Sequence, residues 1–267
     1  MTPVCATCGA WFPDAPAAPA RCPVCEDERQ YVPDAGQLWT EPAEIAAGRR
    51  ADVRDLEPGL TGIGLDPPFA IGQRLLLVES TDGNVLWDMI PAVTDEAVGA
   101  VRAHGAVQAI AVSHPHYYSA MSAWSEALGG VPILLHAADR AFVTRPDPAI
   151  EHWDGDELAL PGGLTLLRLG GHFAGATVLH WPAGAEGRGA LLSGDVVMVV
   201  PDRRFVSFMW SFPNLVPLPV REVERIAAAL EPWPFDRIYG AWWDRVIRFG
   251  AKDSVRRGAE RYARALR

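Results

Sequence analysis

At 267 residues, with 49% hydrophobic and 21% charged residues, the chain can build one large domain, or one domain with a small appendage. Its 24 basic residues against 33 acidic ones give a formal net charge of −9, which argues against non-specific nucleic-acid binding because nothing balances the phosphates. No apolar run reaches the length of a membrane span, and Met1-Thr2-Pro3-Val4-Cys5 lacks the basic and apolar regions of a signal peptide, so a cytoplasmic protein with no membrane partner is expected.

All four cysteines lie within the first 25 residues, a poor way to staple a domain of this size. In a reducing compartment that clustering points to metal rather than to two disulfides or a redox pair. Cys5-Ala6-Thr7-Cys8 and Cys22-Pro23-Val24-Cys25 each place two thiolates on a tight knuckle, and together they complete a tetrahedral four-sulfur site. Gly9 permits the turn that aims backbone N–H groups at sulfur. So short a segment buries too little apolar surface to fold alone, and metal binding would supply the folding energy. The pattern C-x-x-C-G followed by an aromatic, then C-P-x-C, resembles rubredoxin-like and zinc-ribbon modules over about the first 30 residues. Such sites accept zinc or iron; a structural Zn2+ is the expectation. Residues 1–40 are read as this module and its connector, and 41–267 as the main domain.

The connector passes into a short helix over residues 41–47, with Thr40 as N-cap and Pro42 at the first helical position. Apolar runs at 60–65, 74–79 and 85–90 read as strands, with Asp82-Gly83-Asn84 as a hairpin turn between the last two. Thr94 opens a helix that runs to about His104 with an acidic first turn. Ala109-Ile110-Ala111-Val112 is a buried strand leading into Ser113-His114-Pro115-His116-Tyr117-Tyr118-Ser119. In extended backbone His114 and His116 point to one side, able to share one metal ion. A helix at 121–128, a strand at 133–136 and a brief helix at 139–143 follow. After Pro148 strands return at 157–160, 164–169, 177–181 and 190–193, the last ending in Gly194-Asp195. A glycine-rich loop, Gly170-Gly171-His172-Phe173-Ala174-Gly175, separates two of them. The remainder reads as an aromatic, Pro-interrupted loop (205–219), an amphipathic helix (220–230), a strand (236–239) and a basic helix (253–266).

H-P-H at one strand end, G-G-H-F-A-G in a loop and S-G-D at another strand end offer three imidazoles and a carboxylate, a donor set that suits zinc or non-haem iron. On these residues the chain resembles the metallo-β-lactamase fold superfamily, and the resemblance spans residues 60–239. It implies an α/β fold, an αββα sandwich preceded here by the knuckle module. H-P-H-Y-Y-S stands where the superfamily has H-x-H-x-D-H, so His114 and His116 match its first two ligands. His172 matches the histidine of a G-H-T-x-G type loop, and Asp195 the aspartate that ends a strand. Asp88, in Val85-Leu86-Trp87-Asp88, matches the residue that supports the first motif from behind.

The departures fall together. Tyr118 and Ser119 replace the Asp and His of the first motif, and Tyr239-Gly240-Ala241-Trp242-Trp243 lacks the final histidine. Those groups hold the superfamily's second ion; here Trp242 and Trp243 are expected to fill that space, leaving a single Zn2+ or Fe2+ bound by His114, His116, His172 and Asp195. The resemblance then implies a hydrolase acting through one metal-bound water or hydroxide on a small ester, lactone, amide or phosphoester. Asp195 and Tyr118 are the candidate catalytic groups, with Ser119 and Asp88 behind the ligands. Two alternatives stay open: an iron-dependent oxidoreductase or oxygenase with the four-cysteine site as electron relay, and a non-catalytic metal-binding protein. His104, His136, His152 and His180 read as structural, and Phe208, Met209, Trp210 and Phe212 as either a substrate-facing wall or core. The partner expected is a small-molecule substrate, and the aromatic C-terminal half leaves room for a homo-oligomeric interface.

Overall fold

The computed structural model describes residues 1–266. The chain forms two compact units, Met1–Trp153 and a second from Asp154 onward. Among the described residues no helix is long and apolar enough to cross a membrane.

In the first unit the cysteine segment is closed by a two-strand ribbon, β1 (Val4–Cys5) with β2 (Trp39–Thr40), paired Val4 to Thr40 and Cys5 to Trp39. The four cysteines, Ala10, Phe12 and Val24 form one buried cluster, with Trp39 and Ile71 packed against it. Phe12 and Trp39 meet edge to face at 5.0 Å. Pairing takes Thr40 into β2, so it does not cap the next helix, Pro42–Ala46. Glu41 occupies the cap position without a side-chain bond, and the Thr40 hydroxyl donates instead to the Glu44 carboxylate at 2.6 Å.

Seven strands then form a sheet in chain order: β3 (Arg50–Glu57), β4 (Leu60–Asp66), β5 (Leu75–Val78), β6 (Asn84–Trp87), β7 (Val107–Ala111), β8 (Ile133–His136) and β9 (Ile150–Trp153). The first four are antiparallel; β6 to β9 run parallel. Every residue of β5 and β6 is buried, which is why Leu75–Val78 and residues 85–87 read as continuous apolar runs rather than alternating ones. Gly83, with φ of 110°, makes the turn between them. The helix Asp95–Ala103 makes the crossover from β6 to β7, and the Thr94 hydroxyl accepts the Ala97 N–H at 3.2 Å as its N-cap. The brief helix expected at 139–143 is a 3-10 turn, Ala137–Phe142.

The second unit contains a six-stranded sheet. β10 (Glu157–Ala159), β11 (Thr165–Arg168), β12 (Thr177–Trp181) and β13 (Ala190–Gly194) form an antiparallel meander. Two small ribbons follow in sequence: β14 (Met198–Val199) with β15 (Val206–Ser207), and β16 (Met209–Ser211) with β17 (Val216–Pro217). The sheet resumes with β18 (Arg237–Gly240), parallel to β13, and ends with β19 (Val246–Ile247). The helix Val220–Leu230 buries Val223, Ile226 and Leu230, one face at helical spacing. The last helix begins at Ala251, earlier than the sequence suggested, because Asp236 accepts the Gly250 N–H at 2.7 Å and fixes its first turn.

Candidate metal centres

The four thiols are free and buried. Cys5 Sγ lies 3.5 Å from Cys25 Sγ, and Cys8 Sγ lies 3.7 Å from Cys22 Sγ. A disulfide needs about 2.05 Å, so these are not bonded pairs. A tetrahedral ion with metal–sulfur bonds of ~2.3 Å has edges of about 3.8 Å; these two separations are close to that edge, and all four sulfurs lie within 4.8 Å of one another. Hydrogen bonds among the sulfurs hold Cys5 and Cys22 below the usual thiol range and push Cys8 and Cys25 above it. A bound metal replaces the protons that such a cluster otherwise shares. The Cys8 N–H points at Cys5 Sγ at 3.5 Å, the contact that the turn at Gly9 (φ 78°) allows. Gln37 Nε2 donates to the same sulfur at 3.1 Å. Gln37 escaped the sequence reading because a single amide 32 positions from its partner has no spacing rule.

His114 and His116 are 1% and 5% exposed. Their rings lie 5.1 Å apart at 74°, and each offers a ligand nitrogen within 4.8 Å of the other's. The pair forms by a different route from the one expected. His114 is extended, but Pro115–Tyr117 is a 3-10 turn, so His116 sits on a turn rather than on the strand. Proline's fixed φ serves both conformations, and sequence alone does not separate them. Ser113 Oγ lies 2.9 Å from His114 Nδ1. Behind them Asp88 directly follows β6 with φ of 57°, and its Oδ1 accepts the Ser113 N–H at 2.8 Å. That bond fixes the backbone one residue before His114.

Asp88→Ala leaves the buried Ser113 N–H unsatisfied, about 1–3 kcal/mol, and puts alanine in a left-handed conformation, about 1 kcal/mol more. Denaturant midpoints should show a loss of roughly 2–4 kcal/mol, with Asp88→Asn losing less than half of that because it keeps an acceptor and tolerates the backbone. Equal losses would assign the role to charge instead.

In the second unit His172 is 1% exposed, on the loop between β11 and β12. Gly170 and Gly171 are left-handed there, and a Cβ on Gly171 would stand 2.9 Å from Ile226, so the loop needs glycine to lie against its helix. His172 Nδ1 lies 2.9 Å from the Trp210 carbonyl and 3.1 Å from that of Met209. Carbonyls only accept, so Nδ1 carries the hydrogen and Nε2 the lone pair, the tautomer a metal ligand requires. Asp195, 5% exposed, follows Gly194 at the end of β13. There Ser193 Oγ donates to the Val197 carbonyl at 2.9 Å and closes the turn that carries Asp195.

Tyr118 and Ser119 belong to the first unit. Tyr118 is buried; burial first, and the charge of Asp139 second, push its phenol well above the usual range. It lines a cavity of about 10 Å3 with Trp11 and Thr144. Ser119 Oγ donates to the Gly9 carbonyl at 3.2 Å. Three other histidines have structural partners. His180 Nε2 donates to the Pro234 carbonyl at 2.7 Å, and burial lowers its pKa. His104 meets Glu79 at 3.0 Å, and His136 Nδ1 accepts the Ala138 N–H at 3.2 Å. Of the aromatic stretch, Phe208 is core, packed on Tyr262, whereas Trp210 lines a cavity of about 400 Å3 with Gly171, Leu218 and Arg221. Trp242 and Trp243 are half-buried beyond β18.

No protein-family profile matches the chain. It is 44% identical over 265 residues to the "Uncharacterized protein YmaE" of Bacillus subtilis (strain 168), covering 98% of this chain and 96% of that one. Among solved structures it resembles the DIM-1 metallo-β-lactamase, with TM-score 0.60 and 13% identity over 82% of this chain and 99% of the other. It also resembles the metallo-β-lactamase SMB-1 in complex with mercaptoacetic acid, with TM-score 0.53 and 17% identity over 78% and 95%. A metallo-β-lactamase from Pontibacter korlensis gives 0.55 and 14% over 78% and 96%. At these identities the likeness establishes the fold, which is the one the motifs implied.

Proposed function

Because the chain belongs to the same family as the Bacillus subtilis protein YmaE and has the metallo-β-lactamase fold, we propose that it is a metal-dependent hydrolase with one ion at its histidine ligands. The proposed ligands are His114, His116, His172 and Asp195, with a second, structural ion, Zn2+, at Cys5, Cys8, Cys22 and Cys25. When bound, a divalent ion at the histidines supplies Lewis-acid activation of water. The observation that carries the reading is how the imidazoles are held. His172 is fixed in the Nδ1–H tautomer by two backbone carbonyls, and Asp88 anchors the backbone ahead of His114. Ligands oriented by such partners are a mark of metal sites. A single ion is favoured because Ser119, which stands where the fold's second-ion histidine belongs, spends its hydroxyl on the Gly9 carbonyl.

The chain's own residues then do the following. The proposed ligands bind through neutral imidazoles and one carboxylate. Trp210 and Leu218 offer an apolar wall to a small substrate, with Arg221 at the same cavity. The substrate class proposed is an ester, lactone, amide or phosphoester. Hydrolysis in a screen of those four classes should be abolished by a chelator and restored by added Zn2+. Protein that carries both ions yet turns over none of the four would assign the histidine ion a structural role.

A further inference from the structure

We propose that the four-cysteine segment is a clamp that positions the histidine-bearing turn, and that Ser119 is the positioning residue through which it acts. This deepens the reading above, since that turn carries two of the proposed ligands.

The contact is specific. Gly9 directly follows Cys8, and its carbonyl accepts the Ser119 hydroxyl at 3.2 Å. Gly9 is left-handed, and a Cβ there would stand 3.0 Å from Pro91 Cβ and 3.4 Å from Ser119 Oγ. Ser119 itself has φ of 42°, a conformation that non-glycine residues rarely hold without outside support. Two residues on from Gly9, Trp11 Nε1 donates to the Pro91 carbonyl at 3.1 Å, and the Trp11 carbonyl accepts the Thr144 hydroxyl at 2.8 Å. Gly9 to Trp11 therefore touch both segments that shape the pair His114 and His116. One is the stretch after β6, from Asp88 to Pro91; the other is the turn that ends at Ser119. Asp88 and Ser113 join these two segments directly.

The clamp is conditional on metal. Residues 1–40 contain little regular structure beyond β1, β2 and one helical turn, and their cluster is built around four sulfurs. Without an ion Gly9 is held only by the Cys5 carbonyl, the β1–β2 ribbon and the Trp11 and Thr144 anchors, and the knuckle loses the bonds that tie its four sulfurs together. An ion at the cysteines then favours the ligand arrangement at the histidines, and linkage requires the reverse effect to be equal.

The test compares Ser119→Ala, Ser119→Gly and Thr144→Val in the full-length, metal-loaded protein. All three variants weaken anchors of the same segment, but only the first two act on the histidine turn. Amide exchange at Ser113, Tyr117 and Tyr118 should accelerate roughly threefold to tenfold in both Ser119 variants, the range of one lost hydrogen bond, and stay at the wild-type rate in Thr144→Val. Zn2+ affinity at the histidine site, read by chelator competition, should fall by a similar factor in the Ser119 variants alone. Glycine relieves the left-handed strain but donates no bond, so wild-type exchange in Ser119→Gly would overturn the proposal. Equal acceleration in Thr144→Val would overturn it too, because the effect would then be general loosening. Should the exchange pattern hold while no ion binds at the histidines, the clamp stands and the single-ion reading fails.

Discussion

Replacing His172 with alanine is expected to leave the protein with its cysteine-bound ion only, and to reduce hydrolysis by more than the ~10–100-fold typical of losing a partner behind a ligand. The expectation follows from the geometry at Nδ1. Two carbonyls from β16, Met209 and Trp210, hold the ring so that the other nitrogen presents its lone pair. His172→Gln separates ligation from packing, because its amide can still donate to those carbonyls while the imidazole lone pair is gone. The glutamine variant should melt near the wild type and still lack the ion. Elemental analysis alongside thermal melts reads both effects, and unchanged metal content in either variant would remove His172 from the ligand set.

Cys22→Ser is expected to have the largest effect on stability. It should lose the four-sulfur ion and cost about 3 kcal/mol or more, a fall in Tm on the order of 10 °C. The ~10–16 kcal/mol that a structural zinc supplies to isolated finger peptides is an upper limit. Here the segment also keeps the β1–β2 ribbon and the Trp11 and Thr144 anchors. Because the sulfurs stand 3.5 Å and 3.7 Å apart, a reductant without chelating thiols should leave Tm unchanged. A fall in Tm on mild reduction would point to disulfides, and an unchanged Tm in Cys22→Ser would show that the segment folds without its ion.

What the sequence revealed and what it hid divide along physical lines. The cysteine knuckles were legible because ligand spacing is a local, covalent property. The β5–β6 hairpin and the Thr94 cap were legible for the same reason, since turn chemistry and capping act over a few residues. β3 was not: Arg50–Glu57 is mostly charged, and only its pairing with β4 makes it a strand. The ribbon of β16 and β17 lay hidden in a Pro-rich stretch, although its backbone holds His172. Carbonyl partners of this kind belong to every residue type and leave no signature. Thr40 was misread as a cap because strand pairing, a tertiary event, took it first. The departures at Tyr118 and Ser119 were visible, but the bond from Ser119 to Gly9, 110 positions away, needed the fold.

X-ray absorption on the zinc-loaded wild type, combined with metal content per chain, tests the account most directly. Two ions are expected, one in a sulfur shell at ~2.3 Å and one in a nitrogen and oxygen shell at ~2.0–2.2 Å. No metal–metal scattering is expected at ~3.5–4 Å, the separation of paired catalytic ions. A metal–metal vector at that distance, with a third ion per chain, would show that the second site survives and would contradict the single-ion reading.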